Sequence, residues 1–300
     1  MAFSSTDAGL EGFRLTRENP RAYLRWAFFS FVVSVLGAFV TVNMPPEIRN
    51  ALQVLGAEET PDATTLGRAL LAASPLLVIG LLIQCMMTAA VYRIIFRHDD
   101  TRFGYLRMGA DELRLVALTL IYFVMAVVFL ALVILVAGLI AAAASVAGGG
   151  VAVFVAAAAE LAVFALAIYV AVRLSLAPVI TFAERRLAVF DSWAVTRGHF
   201  WRLFGAYVLA LACIVAVALL ALVIFSMLAG VAILLTGGEL ADLGAVFSPD
   251  ETTLTSYLNP FMIAYMVVGS FLTALYYAVV AAPGAVAYRE LHGAPPAAKG

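Results

Sequence analysis

The sequence predicts an all-α, polytopic integral membrane protein with six transmembrane helices arranged as three hairpins. Of its 300 residues, 64% are hydrophobic and 12% are charged, whereas a soluble domain carries about 25% charged residues. The apolar residues fall in long runs, which suit the roughly 20-residue helices that cross a bilayer. The short alternating segments of a membrane β-barrel are not seen.

Six apolar runs are long enough to span, and together they form a single domain over residues 1–300. Several exceed 20 residues, so we expect them to tilt or to extend into the headgroup zone. The third connection is only Ser145–Gly150, a glycine hinge typical of a tight helical hairpin. The predicted spans are approximately 25–44, 69–96, 115–144, 151–182, 203–236 and 261–288.

Positive charge is distributed unevenly among the connections. Sixteen of the eighteen Lys and Arg residues lie in the N-terminal arm, the connections after the second and fourth spans, and the C-terminal tail. The opposite side has only Arg49 and Arg68. Because cytoplasmic loops collect Lys and Arg, this asymmetry predicts that both termini are cytoplasmic.

Each hairpin is preceded by a basic and aromatic lead-in, which we expect to form a cytoplasmic amphipathic helix. The lead-ins cover residues 13–26, 103–115 and 193–203. Since each unit would contain an even number of spans, the pattern suggests a parallel triplicate repeat. The alternative is that any cytoplasmic end of a hairpin collects arginine and aromatic residues.

The third lead-in is the strongest candidate for a functional segment. Leu187, Phe190, Trp193 and Ala194 fall near one helical face, as in a helix that lies in the membrane interface, and Gly198 is expected to end it. It is either a lipid-anchoring elbow without specificity or a site for anionic, phosphate-bearing headgroups. The residues predicted to contact lipid or phosphate are Arg173, Arg185, Arg186, Trp193, Arg197, Trp201 and Arg202.

Glu160 is the one acid deep in a predicted span. An intramembrane carboxylate is a functional candidate by default, although Glu160 could equally bond a neighbouring helix as a neutral acid or reach water. No catalytic residues, metal ligands or cofactors are predicted. His98, His199 and His292 share no ligand spacing, and no motif indicates nucleotide or nucleic-acid binding.

Two stretches carry a family resemblance: Arg173–Pro178 (RLSLAP) and Asp191–Leu203 (DSWAVTRGHFWRL). They resemble the membrane domain attached to some bacterial glycerophosphodiester phosphodiesterases, and related stand-alone membrane proteins. The resemblance implies a helical domain of the bacterial inner membrane. It does not imply phosphodiesterase activity, because that chemistry belongs to a separate soluble barrel of which this sequence has no segment.

Together these features predict a non-catalytic inner-membrane protein, acting as a scaffold or as an envelope or lipid-homeostasis module. Its expected partners are membrane lipids with anionic headgroups on the cytoplasmic side, and the scaffold interpretation adds a protein partner. The alternative is a carrier or channel for a lipid or other amphipathic substrate, using Glu160 and the arginine cluster. An intramembrane enzyme is the weakest of the three hypotheses.

Overall fold

The computed structural model describes residues 4–56, 62–97, 102–147, 149–235, 237, 244, 247, 250 and 253–292, and in these residues it is helical without strands. A 3-10 turn at Arg102–Tyr105 lies between α4 and α5. The helices are α1 (Ser5–Glu18), α2 (Pro20–Val42), α3 (Pro46–Gly56), α4 (Ala63–Phe96), α5 (Ala110–Ala147), α6 (Gly149–Leu174), α7 (Ala177–Glu184), α8 (Asp191–Val195), α9 (Phe200–Leu235), α10 (Leu254–Tyr257) and α11 (Pro260–His292).

The predicted all-α, multi-pass membrane fold is confirmed. Six stretches of the described chain are long and apolar enough to cross a bilayer: α2, α4, α5, α6 with α7, α9 and α11. Their surfaces carry large apolar side chains, among them Phe123, Leu130 and Phe154, which are more than half exposed. Such a surface is what a bilayer covers, because hydrocarbon is its natural solvent.

The spanning helices begin earlier than the apolar runs do. α2 starts at Pro20, a favoured first helical residue, and therefore includes Arg21 and Arg25. α5 starts at Ala110 and places Asp111 and Glu112 in its first turn, where carboxylates complement the helix dipole. The hinge predicted within 145–150 includes Gly148, which lies outside the described residues.

The fourth span is broken rather than continuous. α6 ends at Leu174, and α7 begins at Ala177 with Pro178 in its first turn. The fourth span was predicted as one run over 151–182, so this break corrects the prediction. Proline lacks an amide hydrogen and is favoured in the first turn of a helix, which suits the start of α7 at Ala177-Pro178. The comparable Ala282-Pro283 pair behaves differently, because α11 continues through Pro283.

The three lead-ins differ in structure. The first, residues 13–26, is divided between the end of α1 and the start of α2. The second is a 3-10 turn in which Phe103, Gly104 and Tyr105 have positive φ, separated from α5 by residues 106–109. The third forms only the five-residue helix α8, so Leu187 and Phe190 lie in a loop and not on the predicted helical face. The helix ends at Val195 and not at Gly198 as predicted. Gly198, with a φ of 82°, lies in the turn between α8 and α9.

The chain divides into two compact units, which are described separately. The first contains Met108–Tyr207 with the chain up to Ala8 and from Pro283. In it, α5 packs along α6, and α7 packs on α5 and α8. Tyr122 of α5 donates a hydrogen bond to the carbonyl oxygen of Val189, at 2.7 Å, and so fixes the loop that precedes α8.

The second unit contains Gly9–Arg107 and Val208–Ala282. Within it, Ala210 and Ile214 of α9 pack against Val279 of α11 in a small buried cluster. The 3-10 turn is held by two buried bonds. The Trp26 indole donates to the Gly104 carbonyl at 2.7 Å, and Arg93 donates to the Tyr105 carbonyl at 2.7 Å.

Candidate functional site

An open cavity beside the third lead-in brings together three of the predicted site residues. Arg173, Trp193 and Arg197 line it, together with Tyr169, Phe190 and Ala194, and its volume is 710 Å³. Every one of these residues belongs to the first unit. We refer to it as the Arg173 cavity.

Arg173 is the central cation of this cavity. It lies in the last turn of α6 and is 7% exposed. Its Nη1 donates to Thr196 Oγ1 at 3.1 Å, and its Cζ lies 4.7 Å from the centroid of the Trp193 ring. The Tyr169 ring centroid is 5.8 Å from the same atom. The guanidinium is thus stabilised by aromatic faces and one hydroxyl, and no carboxylate of the described residues forms an ion pair with it.

One donor of this guanidinium has no partner. Arg173 Nε is buried, and no acceptor of the described chain is within hydrogen-bonding distance. Burial of an unsatisfied donor on a charged group is costly. Arg173, a residue that lines the cavity, therefore carries a buried hydrogen-bond donor that the protein itself does not use.

Ser192 and Thr196 of the lead-in hold Arg173 in place. Ser192 Oγ donates to the Arg173 carbonyl oxygen at 2.7 Å and accepts from the Leu176 amide at 3.1 Å. Thr196 Oγ1 accepts from the Arg173 side chain and donates to the Ser192 carbonyl at 2.8 Å. Both hydroxyls are buried. These hydrogen bonds join Arg173–Pro178 to Asp191–Leu203, the two stretches that carry the family resemblance.

Arg186 was predicted to contact lipid or phosphate, and the structure gives its charge two carboxylate partners. Its guanidinium bonds Glu184 at 2.7 Å and Asp191 at 2.5 Å. Hydrogen bonds to Glu184 and then to Asp191 raise the pKa of Arg186 above its ordinary value. Tyr288 also donates to Glu184, at 3.0 Å. Arg186 therefore holds the loop between α7 and α8 and does not line the cavity.

The remaining predicted residues lie outside the cavity on exposed surface. Arg185 caps the end of α7 in the left-handed conformation, with a φ of 56°. Trp201 is 77% exposed, and Arg202 is exposed beside it. Trp201 packs edge-on against Phe200, whose ring lies 5.3 Å from that of Tyr169. A continuous aromatic surface thus runs from the cavity to Trp201.

Glu160 is separate from this site. It lies on α6 with an exposed side chain, and it lines neither the Arg173 cavity nor the two cavities of the second unit. The structure does not bring Glu160 and the arginine cluster together at one cavity. Its predicted role stays a hypothesis.

Two further cavities lie among the described residues of the second unit. One is apolar, with a volume of 440 Å³, and is lined by Ser34, Met262 and the mutually packed rings of Phe225, Phe247 and Tyr265 among others. The other has a volume of 480 Å³ and is lined by Arg21, Arg25, Glu18 and the 3-10 turn. Glu18 of this second cavity accepts a hydrogen bond from Arg14, and this bond lowers the pKa of the Glu18 carboxyl.

Three residues that shape the site were not identified from the sequence: Tyr169, Ser192 and Thr196. Tyr169 precedes Arg173 by four residues, a spacing that puts two side chains on one helix face, so periodicity could have identified it. Ser192 and Thr196 gave no such signal, because their partners are about twenty residues away in the chain. Among the described residues, no cluster of three or more His, Cys, Asp or Glu side chains could hold a metal.

No protein-family model matches this chain, and neither a curated protein nor a solved structure matches it. The resemblance to the membrane domain of glycerophosphodiester phosphodiesterases therefore stays a prediction that rests on Arg173–Pro178 and Asp191–Leu203.

Proposed function

We propose that this protein is a non-catalytic, multi-pass module of a bacterial inner membrane whose third lead-in contacts anionic lipid. In this proposal it serves as a scaffold or as an envelope or lipid-homeostasis factor. Both termini are cytoplasmic, as the arginine distribution indicates. Residues 185–202 comprise most of the third lead-in and the loop before it, and we call them the lead-in surface. They are then on the cytoplasmic side, where anionic headgroups attract basic segments.

The observation that supports this proposal is the mixture of exposed rings and exposed cations on the lead-in surface. Phe190 is 60% exposed and Trp201 is 77% exposed. Arg185, Arg197 and Arg202 are exposed on the same short segment. Large apolar side chains are costly in water, whereas aromatic rings with flanking arginines suit the boundary between acyl chains and phosphates.

A lipid-shell measurement tests the proposal. The protein would be reconstituted in vesicles of phosphatidylcholine and phosphatidylglycerol, then extracted with its surrounding lipid by an amphipathic polymer. We expect phosphatidylglycerol to be enriched around the wild type. Arg185→Ala with Arg202→Ala should reduce this preference, by about fivefold per arginine for a lipid at the surface.

Arg68→Ala is the matched control. Arg68 is also exposed, but it follows the first span and not the fourth. Its removal should leave the enrichment at its wild-type value. Equal enrichment in the wild type, the double variant and the Arg68 variant would contradict the proposal.

The alternative, a carrier for a lipid or amphipathic substrate, is supported by the open cavity at Arg173. In that hypothesis Glu160 and the arginines act in one transport path. Glu160→Gln should then abolish movement of a labelled phospholipid between leaflets of proteoliposomes without loss of folded protein. The scaffold proposal predicts that Glu160→Gln is silent and that a protein partner co-purifies in mild detergent.

A further inference from the structure

We propose that the Arg173 cavity binds the phosphate group of one individual phospholipid, which Arg173 and Arg197 contact while the lipid lies along the adjoining aromatic surface. This inference rests on the proposed function, since it needs the lead-in to face lipid. It goes further, because it assigns a discrete site to one lipid molecule where the proposal describes only a charged surface.

The donor arrangement of Arg173 indicates an oxyanion. Nη1 is already bonded to Thr196 Oγ1. Nε has no acceptor, and Nη2 forms no hydrogen bond with the described residues. Nε and Nη2 lie on the same edge of a guanidinium, and that edge binds two oxygens of a carboxylate or phosphate side by side. The bond to Thr196 thus uses the other side of the guanidinium, and the edge that recognises phosphate has no partner among the described residues.

The charge of the cavity favours the same ligand. The charged side chains that line it among the described residues, Arg173 and Arg197, are both cations, and none of those lining residues is a carboxylate. The neighbouring carboxylates Glu184 and Asp191 are paired with Arg186. Arg197 forms no ion pair with the described residues. An anion is therefore attracted to a site whose positive charge is not already neutralised.

The rest of the lining indicates a lipid and not free phosphate. Tyr169, Phe190 and Trp193 supply rings to the cavity, and Phe200 continues that surface from Tyr169. A volume of 710 Å³ lies in the usual range of sites for small organic ligands and exceeds what a phosphate group fills. Aromatic rings beside two arginines suit a ligand that has both a phosphate group and an acyl chain.

Retention of lipid through stepwise detergent washing tests this site. Protein reconstituted with phosphatidylglycerol would be washed and then examined by native mass spectrometry. We expect one phosphatidylglycerol to stay on the wild type after its lipid shell is lost. Arg173→Gln and Arg197→Gln should each reduce its occupancy about tenfold, as expected from loss of a charge-assisted hydrogen bond. Arg185→Gln and Arg202→Gln, whose residues lie outside the cavity, are controls that should keep it.

Each further outcome decides between explanations. If Arg173→Gln fails to fold, Arg197→Gln decides, because Arg197 is exposed. Wild-type occupancy in both cavity variants would overturn the site. Equal loss in all four variants would also overturn it, while leaving general attraction at the lead-in surface intact. The lipid shell of the wild type could also show no enrichment of phosphatidylglycerol while the single retained lipid is lost only in the two cavity variants. That result would overturn the proposed function and support the site.

The source of the phosphate is distinguished by competition. Short-chain phosphatidylglycerol should displace the retained lipid, whereas inorganic phosphate and glycerol 3-phosphate at the same concentration should not. Equal displacement by inorganic phosphate would show that the cavity recognises a phosphate group alone, and the assignment to a lipid would be wrong.

Discussion

The hydroxyl oxygen of Ser192 lies 2.7 Å from the carbonyl oxygen of Arg173, and it joins the end of α6 to the lead-in. The same oxygen accepts from the Leu176 amide. Where α6 stops and α7 starts, the helical pattern of backbone bonds is interrupted, and groups at helix ends need other partners. One serine supplies both a donor and an acceptor at this break.

Replacement of Ser192 by alanine should therefore destabilise the protein. The variant leaves the buried Leu176 amide without its acceptor and removes the shorter of two hydroxyl contacts to the Arg173 carbonyl, the other being Thr196 at 3.3 Å. The unsatisfied amide costs about 1–3 kcal/mol. Thermal unfolding in detergent would measure it as a lower Tm. Ser74→Ala is the control, because Ser74 bonds the Leu71 carbonyl within its own helix. Equal Tm values for the two variants would contradict the bridging role of Ser192.

Thr196→Val should loosen Arg173 while nearly conserving the shape of the side chain. The valine cannot accept from Arg173 Nη1, so a second donor of the buried guanidinium loses its partner, and we expect a loss of about 1–3 kcal/mol in unfolding free energy. Retention of phosphatidylglycerol should fall in the same variant. Thr196→Ser keeps the hydroxyl and should restore both quantities, an outcome that general loosening of α8 would not produce.

The spanning architecture could be predicted from local composition, because each run of apolar residues needs only its own backbone bonds to be stable in lipid. The break before Pro178 was not predicted, because the apolar run continues through it to residue 182. The third lead-in was not predicted correctly. Its periodicity suggested a helix through Leu187 and Phe190, but the paired charges of Arg186 and the bond from the Ala188 amide to Thr181 Oγ1 at 3.1 Å hold this part as a loop.

The lining of the Arg173 cavity was also predicted only in part, because contacts between distant parts of the chain leave no local pattern. Arg173, Trp193 and Arg197 do share a cavity, whereas Arg186 was grouped with them by residue type alone. Its partner Glu184 is only two residues away, so a local ion pair could have been expected. The bond between Arg173 and Thr196 joins residues 23 positions apart, and no sequence period reports such a contact.

Gly284 should be intolerant of any side chain because of Tyr207. A Cβ atom at this position would lie 2.7 Å from Tyr207 Oη and 3.4 Å from Val179 Cγ2. Gly284→Ala should therefore cost about 1–3 kcal/mol through overpacking, measured by unfolding in detergent. Gly269→Ala on the same helix is the control, because its Cβ would meet nothing within 4 Å.

The double variant Gly284→Ala with Tyr207→Phe tests the cause. Removal of the phenolic oxygen takes away the closest atom, so this variant should be more stable than Gly284→Ala alone. If the double variant is no more stable than Gly284→Ala, the contact with Tyr207 Oη is not the source of the strain.

Asp62 should make the start of α4 sensitive to acid. Its carboxylate accepts hydrogen bonds from the Thr64 and Thr65 hydroxyls and from their backbone amides, at 3.1 and 3.2 Å for the amides. These bonds, with Thr64 contributing most, lower the carboxyl pKa from 3.8 to about 2. A lowered pKa in the folded state means that the cap is fully effective above the unfolded value and is lost as the pH falls from about 4 toward 2.

Hydrogen exchange of the Thr64 and Thr65 amides should therefore show less protection as the pH falls through this window, after correction for the intrinsic exchange rate. Asp62→Asn keeps an acceptor oxygen that does not titrate there, so its protection should be independent of pH. Asp62→Ala should expose both amides at every pH, because no side chain remains to accept from them. If the wild type and Asp62→Asn share one pH profile, the carboxylate is not the group that caps α4.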